Sequence, residues 1–203
     1  MSKKIIDLFP TPVFKTNLID TEQYDELALS ELAKYLMSDG APANPELQIG
    51  EGDMKTCYME DWKTTSYVID DDDELCDAIN ASLSQFAHAQ GTEYVKLADS
   101  WYTVMNKGSR IHRHRHESNV ICGTLFVSMP EGSHGLAFVN PTTVAKMEDR
   151  VNTSTKYSEA AHLMEVKNGD LLIYPSWLEH FVPPVECDGR VTISFNADYS
   201  RFR

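Results

Sequence analysis

GSRIHRHRH, residues 108–116, puts histidine at every second position, at 112, 114 and 116, in a chain with seven histidines in all. Alternate side chains of an extended strand share a face, so these three are expected together on one side of a strand. A single strand histidine is more often an ordinary core or surface residue. Three on one face are costly as a core and favourable as a metal site, because imidazole suits Fe, Zn, Cu and Ni. Glycine sets the register. Gly108, five residues, then His-x-His selects His114 and His116, and a matching segment, Gly169, five residues, Pro175, four residues, His180, supplies a distant third histidine.

Working outward, residues 93–105, 119–129, 135–140, 170–174 and 190–196 are β-branched and aromatic runs separated by Gly, Pro, Asn and Ser, and read as short strands. The first part of the chain reads differently. Tyr24, Leu27, Leu29, Leu32 and Leu36 recur at roughly helical spacing after Thr21 and before Gly40, predicting a helix over 21–38. Leu75, Ile79, Leu83 and Phe86 predict a second over 73–90, with the acidic run at 70–74 as its N-capping start and Gly91 as its stop. Helices followed by strands imply an α+β, mainly β, fold with an antiparallel sheet or barrel buttressed by N-terminal helices and strands mainly over 93–200. The 203 residues, 42% of them hydrophobic, fit one domain spanning 1–203. Thr142 to Ala160 is polar and reads as a long loop, of the kind that serves as a lid.

Composition narrows the function classes. No apolar run reaches eighteen residues and the N-terminus has no apolar signal core, so the expected location is the cytoplasm, away from any membrane. Cys57, Cys76, Cys122 and Cys187 show no paired metal spacing and read as reduced thiols. A net charge of −13 disfavours nucleic acid, although Arg110, Arg113 and Arg115 make one local basic segment. A homodimer is the default expectation for an oligomer.

The two glycine–histidine segments resemble those of the cupin superfamily, whose fold is a double-stranded β-helix, a jelly-roll barrel. The cupin glutamate ligand is missing, since Val120 and Ile121 stand at its place and Glu117 follows His116 too closely. A closer resemblance covers most of the chain. LFPTPVF (8–14), Asp61-Trp62, Trp101 to Gly108, HRHESNVICGTLFV (114–127), GLAFVNP (135–141), GDLLIYPSWLEHFVPP (169–184) and RVTISFN (190–196) resemble, in order, a family of 2-oxoglutarate/iron(II)-dependent oxygenases of marine bacteria and phages. That resemblance implies Fe(II) held by His114, His116 and His180. It also implies 2-oxoglutarate as co-substrate, its far carboxylate held by Arg190, ten residues after His180. The implied reaction is hydroxylation of a small molecule or peptide with release of succinate.

The residue chemistry supports parts of this. A guanidinium is a planar fork for a carboxylate, and Thr192 shares a strand face with Arg190, where its hydroxyl could add a hydrogen bond. An arginine buried in a barrel needs an anion or an acidic partner. His116 departs from the wider superfamily, which carries Asp or Glu there, so three neutral imidazoles would leave Fe(II) uncompensated until the co-substrate binds; His116 behind the ligands, with Glu117 or water in its place, is the alternative. His112 is expected at the mouth, near substrate or behind the ligands. Phe126 stands where some relatives carry a co-substrate-binding tyrosine. Trp101, Tyr102, Trp177 and Phe126 could line a pocket or simply fill the core, and Asn106 and Asn119 could only form turns. Two other functions fit the residues: a cupin-type metalloenzyme without 2-oxoglutarate, and a non-catalytic binding module on the same fold.

Overall fold

A computed structural model describes residues 5, 7, 9–44, 49–58, 68–70, 73–92, 95–116, 119–142, 153 and 155–199. Asp61, Trp62, Glu117 and most of the expected 142–160 loop lie outside these residues. Helix α1 spans Glu26–Met37 and α2 spans Glu74–Ala89. Aspartate caps each: the Asp25 and Asp73 side chains accept from the backbone N–H groups of Ala28 and Leu75. The Thr21 hydroxyl donates to the Asn17 carbonyl within a turn that precedes the helix, and with Asp25 as the cap the helix starts later than its apolar spacing predicts.

Among the described residues there are eleven strands: β1 Phe14–Asn17, β2 Gly50–Glu51, β3 Met54–Thr56, β4 Val95–Met105, β5 Arg110–His114, β6 Ile121–Ser128, β7 Ala137–Val139, β8 Ala161–Leu163, β9 Asp170–Pro175, β10 His180–Val182 and β11 Arg190–Tyr199. They form two antiparallel sheets, of order β1-β9-β6-β11-β4-β3 and β2-β5-β10-β7-β8. The first sheet recruits β1 and β3 from the N-terminal part, outside the 93–200 stretch in which strands were mainly expected; both are too short to show a period of two.

Alternation along the central strands divides the interior. Val191, Ile193, Phe195 and Ala197 of β11, with Leu125 of β6, Leu171 and Ile173 of β9 and Tyr102 of β4, pack against Leu29 and Leu36 of α1 and Leu75, Ile79 and Leu83 of α2. Each fully buried Val, Leu, Ile or Phe side chain among these stabilises the fold by about 1.5–3 kcal/mol. The opposite face presents Met105, Cys122, Phe126, Leu172 and Tyr174 to Ile111, Leu136, Phe138 and Val182, the last four from β5, the segment around β7, and β10. This second core lies between the sheets, and mainly β structure with two supporting helices gives the double-stranded β-helix.

Candidate metal and anion centre

The β4–β5 connection turns at Gly108, whose φ of +88° favours glycine, and leads Arg110–His114 back along β10. Pairing in this second sheet is irregular. His114 lies opposite His180, yet Ile111 lies opposite Val182, so three steps on β5 match two on β10. The extra residue is a β-bulge, and it turns Ile111 and His114 to the same side. His112 is thereby turned out, contrary to the alternation expected for it: its side chain is about half exposed and sits 3.5 Å from Glu51.

The rings of His114, His116 and His180 meet inside, with centroids 4.3 to 5.3 Å apart and one nitrogen of each within 4.8 Å of the others. Among the described residues no carboxylate or thiol joins them. His114 Nδ1 lies 2.8 Å from the His112 carbonyl and His180 Nδ1 lies 2.9 Å from the Leu178 carbonyl. A carbonyl only accepts, so both rings carry the proton on Nδ1 and leave Nε2 unprotonated. His112 therefore serves through its backbone. His116, beyond the end of β5, has its Nδ1 2.6 Å from Asn196 Oδ1 and its ring stacked on Trp101. Burial depresses the basicity of all three, to about 4 for His116 and about 3 for His180. Three neutral nitrogen donors are thus available at pH 7.

The facing sheet supplies the other half. On β11, Arg190, Thr192, Ser194 and Asn196 follow one another on the inner side, opposite Met105, Thr103, Trp101 and Asp99 of β4. Arg190 is 1% exposed. Its Nε donates to the His134 carbonyl, Nη1 approaches Met105 Sδ and Thr192 Oγ1, and the guanidinium lies over the Phe126 ring at 5.8 Å. Among the described residues Nη2 is buried with no partner, and burial lowers the group to about 10. No acidic side chain meets it among the described residues. Leaving such a donor unpaired costs several kcal/mol, which an incoming carboxylate would recover. Between the two ends, the Thr124 hydroxyl lies 3.4 Å from both Ser194 and Tyr174, and Tyr174 Oη lies 3.3 Å from His180 Nε2.

Residues 99–196 match the family model described as "Putative 2OG-Fe(II) oxygenase". Over these residues the chain is similar to the 2OG-Fe(II) oxygenase family. The chain is similar in fold to a prolyl-4-hydroxylase of Pseudomonas putida (15% identity, TM-score 0.60, 94% of each chain covered). It is also similar to a Trichoplax adhaerens prolyl hydroxylase complexed with a hypoxia-inducible-factor peptide fragment (11%, 0.63, 92% of this chain and 83% of that one). A third similar structure is HygX of Streptomyces hygroscopicus with nickel and 2-oxoglutarate bound (12%, 0.55, 95% and 84%). Among curated proteins no sequence match was found. The chain is an enzyme of this class, with Fe(II) and 2-oxoglutarate as its cofactor and co-substrate. The donor chemistry fits both: imidazoles for a borderline metal, an orphaned guanidinium nitrogen for a carboxylate.

Of the aromatic residues considered from sequence, Trp101 packs on His116 and Phe126 under Arg190, Tyr102 fills the helix-side core, and Trp177 is 53% exposed. Asn106 binds Asp53 and the Gly189 N–H, a turn role, and the Asn119 carbonyl accepts from Ser176. Sequence reasoning missed Asn196, Asp99 and Tyr174. The alternation that paired Arg190 with Thr192 extends to Asn196, so that one was within reach; the other two require the strand register.

Proposed function

We propose that His114, His116 and His180 hold Fe(II), that Arg190 and Thr192 hold the far carboxylate of 2-oxoglutarate, and that the whole chain, 1–203, acts as one oxygenase domain on a small-molecule or peptide substrate. The observation that carries this reading is the unpartnered Nη2 of Arg190, buried on the same sheet face as the amide that holds His116. Fe(II) and 2-oxoglutarate would together supply hydroxylation of a substrate C–H bond by O2, with one oxygen atom entering the substrate and the other the succinate formed as 2-oxoglutarate loses CO2.

The protein's own part is arrangement. The carbonyls of His112 and Leu178 and the Asn196 amide hold three imidazoles with their lone pairs converging. Thr192, Ser194 and Thr124 are small hydroxyl residues on the inner face between the guanidinium and the imidazoles, which suits an acid lying along the strand. Phe126, Phe138, Leu172 and Tyr174 exclude water around it, strengthening each charge interaction. A cytoplasmic location belongs to this proposal; no helix among the described residues is long and apolar enough to cross a membrane.

Anaerobic calorimetry with Mn(II) and then 2-oxoglutarate, followed by succinate release with Fe(II) in air, tests the reading. Metal-dependent 2-oxoglutarate binding and slow uncoupled succinate release are expected. His114→Ala and His180→Ala should each abolish both. A cupin-type enzyme would bind metal but no 2-oxoglutarate, and a binding module of the third kind would bind neither.

A further inference from the structure

His116 differs from its two neighbours in how it is held. The Nδ1 atoms of His114 and His180 point at backbone carbonyls, which cannot exchange donor for acceptor. His116 lies past the end of β5 and points at a side-chain amide, which can. Were Asn196 rotated by half a turn about its terminal bond, its NH2 would face Nδ1. The imidazole would then have to accept there, moving its proton to Nε2, the nitrogen facing the other two rings.

Asp99 removes that freedom. It is the cross-strand partner of Asn196, and Asn196 Nδ2 lies 2.8 Å from its Oδ1. A carboxylate oxygen only accepts, so the NH2 must face Asp99 and the amide oxygen must face His116. Cys122 Sγ, 3.2 Å from the same oxygen, is a second donor to it and favours the same orientation. We propose that Asp99 and Asn196 are positioning residues for His116: the carboxylate fixes the amide, the amide fixes the Nδ1–H tautomer, and the tautomer aims the Nε2 lone pair at the centre. The same pair places a negative charge two hydrogen bonds behind a histidine that stands where the wider superfamily has a carboxylate ligand. This inference rests on the reading of His116 as a ligand.

The test uses the full chain with Co(II) as probe. Anaerobic titration followed by visible absorption and chelator competition gives affinity and coordination geometry, and ¹⁵N spectra of the metal-free protein give the histidine tautomers. Asp99→Asn is expected to weaken Co(II) about tenfold and to mix the tautomers of His116; Asn196→Leu is expected to weaken it roughly 10–100-fold. Combining Asp99→Asn with Asn196→Asp restores one acceptor toward His116, one donor behind it and the single charge, and should recover affinity to within about threefold of the parent. Asp99→Asn with parental affinity and a single Nδ1–H tautomer would overturn the relay, as would failure of the exchanged pair to recover a folded protein's affinity. Should Asn196→Leu not fold, the near-isosteric Asp99→Asn and the exchange still decide. A parent that binds no Co(II) overturns the ligand reading instead, and the tautomer spectra then test the hydrogen-bonded lock separately.

Discussion

Replacing Arg190 with Met keeps much of the side-chain volume and removes a buried cation that has one nitrogen unpaired. Removing such a charge is often neutral or stabilising, so metal-free Arg190→Met should melt no lower than the parent. Its affinity for 2-oxoglutarate should fall by about 3 kcal/mol, roughly a hundredfold, because a buried charge pair is lost, while Mn(II) affinity changes by no more than about threefold. Calorimetry of 2-oxoglutarate binding to the Mn(II)-loaded variant, with melting curves, checks both. Unchanged 2-oxoglutarate binding would remove Arg190 from the site. At this scale the sequence was most informative where residue type limits chemistry: histidine and arginine have few uses inside a barrel. It was least informative for Tyr174 and Asp99, whose surroundings arise from strands far apart in the chain.

The β4–β5 turn and the bulge after it aim the histidines. Gly108 has a φ of +88° and open space where a Cβ would go, so Gly108→Ala tests backbone strain without a clash. A loss of about 1 kcal/mol is expected, and less for Gly108→Asn, since asparagine tolerates that conformation better. Gly169, with φ +80°, would bring a Cβ to 2.7 Å from Ile19 Cδ1, so Gly169→Ala should cost more than Gly108→Ala. Urea midpoints of the three variants give the order, and equal midpoints would refute it. The strand periods were readable because one face of β6, β9 and β11 packs on helices and the other on the second sheet. The facing of His112 was not, because a bulge is one extra residue on one strand and appears only when the partner strand is in place.

For the molecule as a whole, three neutral imidazoles, His180 buried and His114 and His116 partly buried, couple stability to pH. An unfolded histidine gains a proton near 6.5, whereas folded His116 does so only at about 4 and His180 at about 3. Between those limits the unfolded chain holds more protons, so stability falls as pH drops from about 6.5 toward 4, and these groups add no slope above that window. His116 alone accounts for roughly 3 kcal/mol across it. Urea midpoints of the metal-free protein from pH 7.5 to 4.5 should fall most steeply below 6.5, and less steeply in His180→Gln; a variant with the parent's slope would exclude the imidazoles as the cause. Saturating metal should raise the melting temperature at pH 7.5, where all three rings are neutral, as expected for a ligand that binds only the folded state.

Hydrophobic alternation, glycine placement and the alternating histidines were enough, from the chain alone, to indicate a mainly β fold with supporting helices and to single out His114, His116 and His180, whereas Arg190 was pointed to by the family resemblance. These properties are local: a period of two needs only neighbouring residues, and a residue's chemistry travels with it. Tertiary structure decided which histidine turns away, that Asn196 meets His116, that Asp99 stands behind Asn196, and that the guanidinium has a nitrogen to spare. Each of those depends on register between strands that are sequence-distant, where one inserted residue reverses the facing of a side chain.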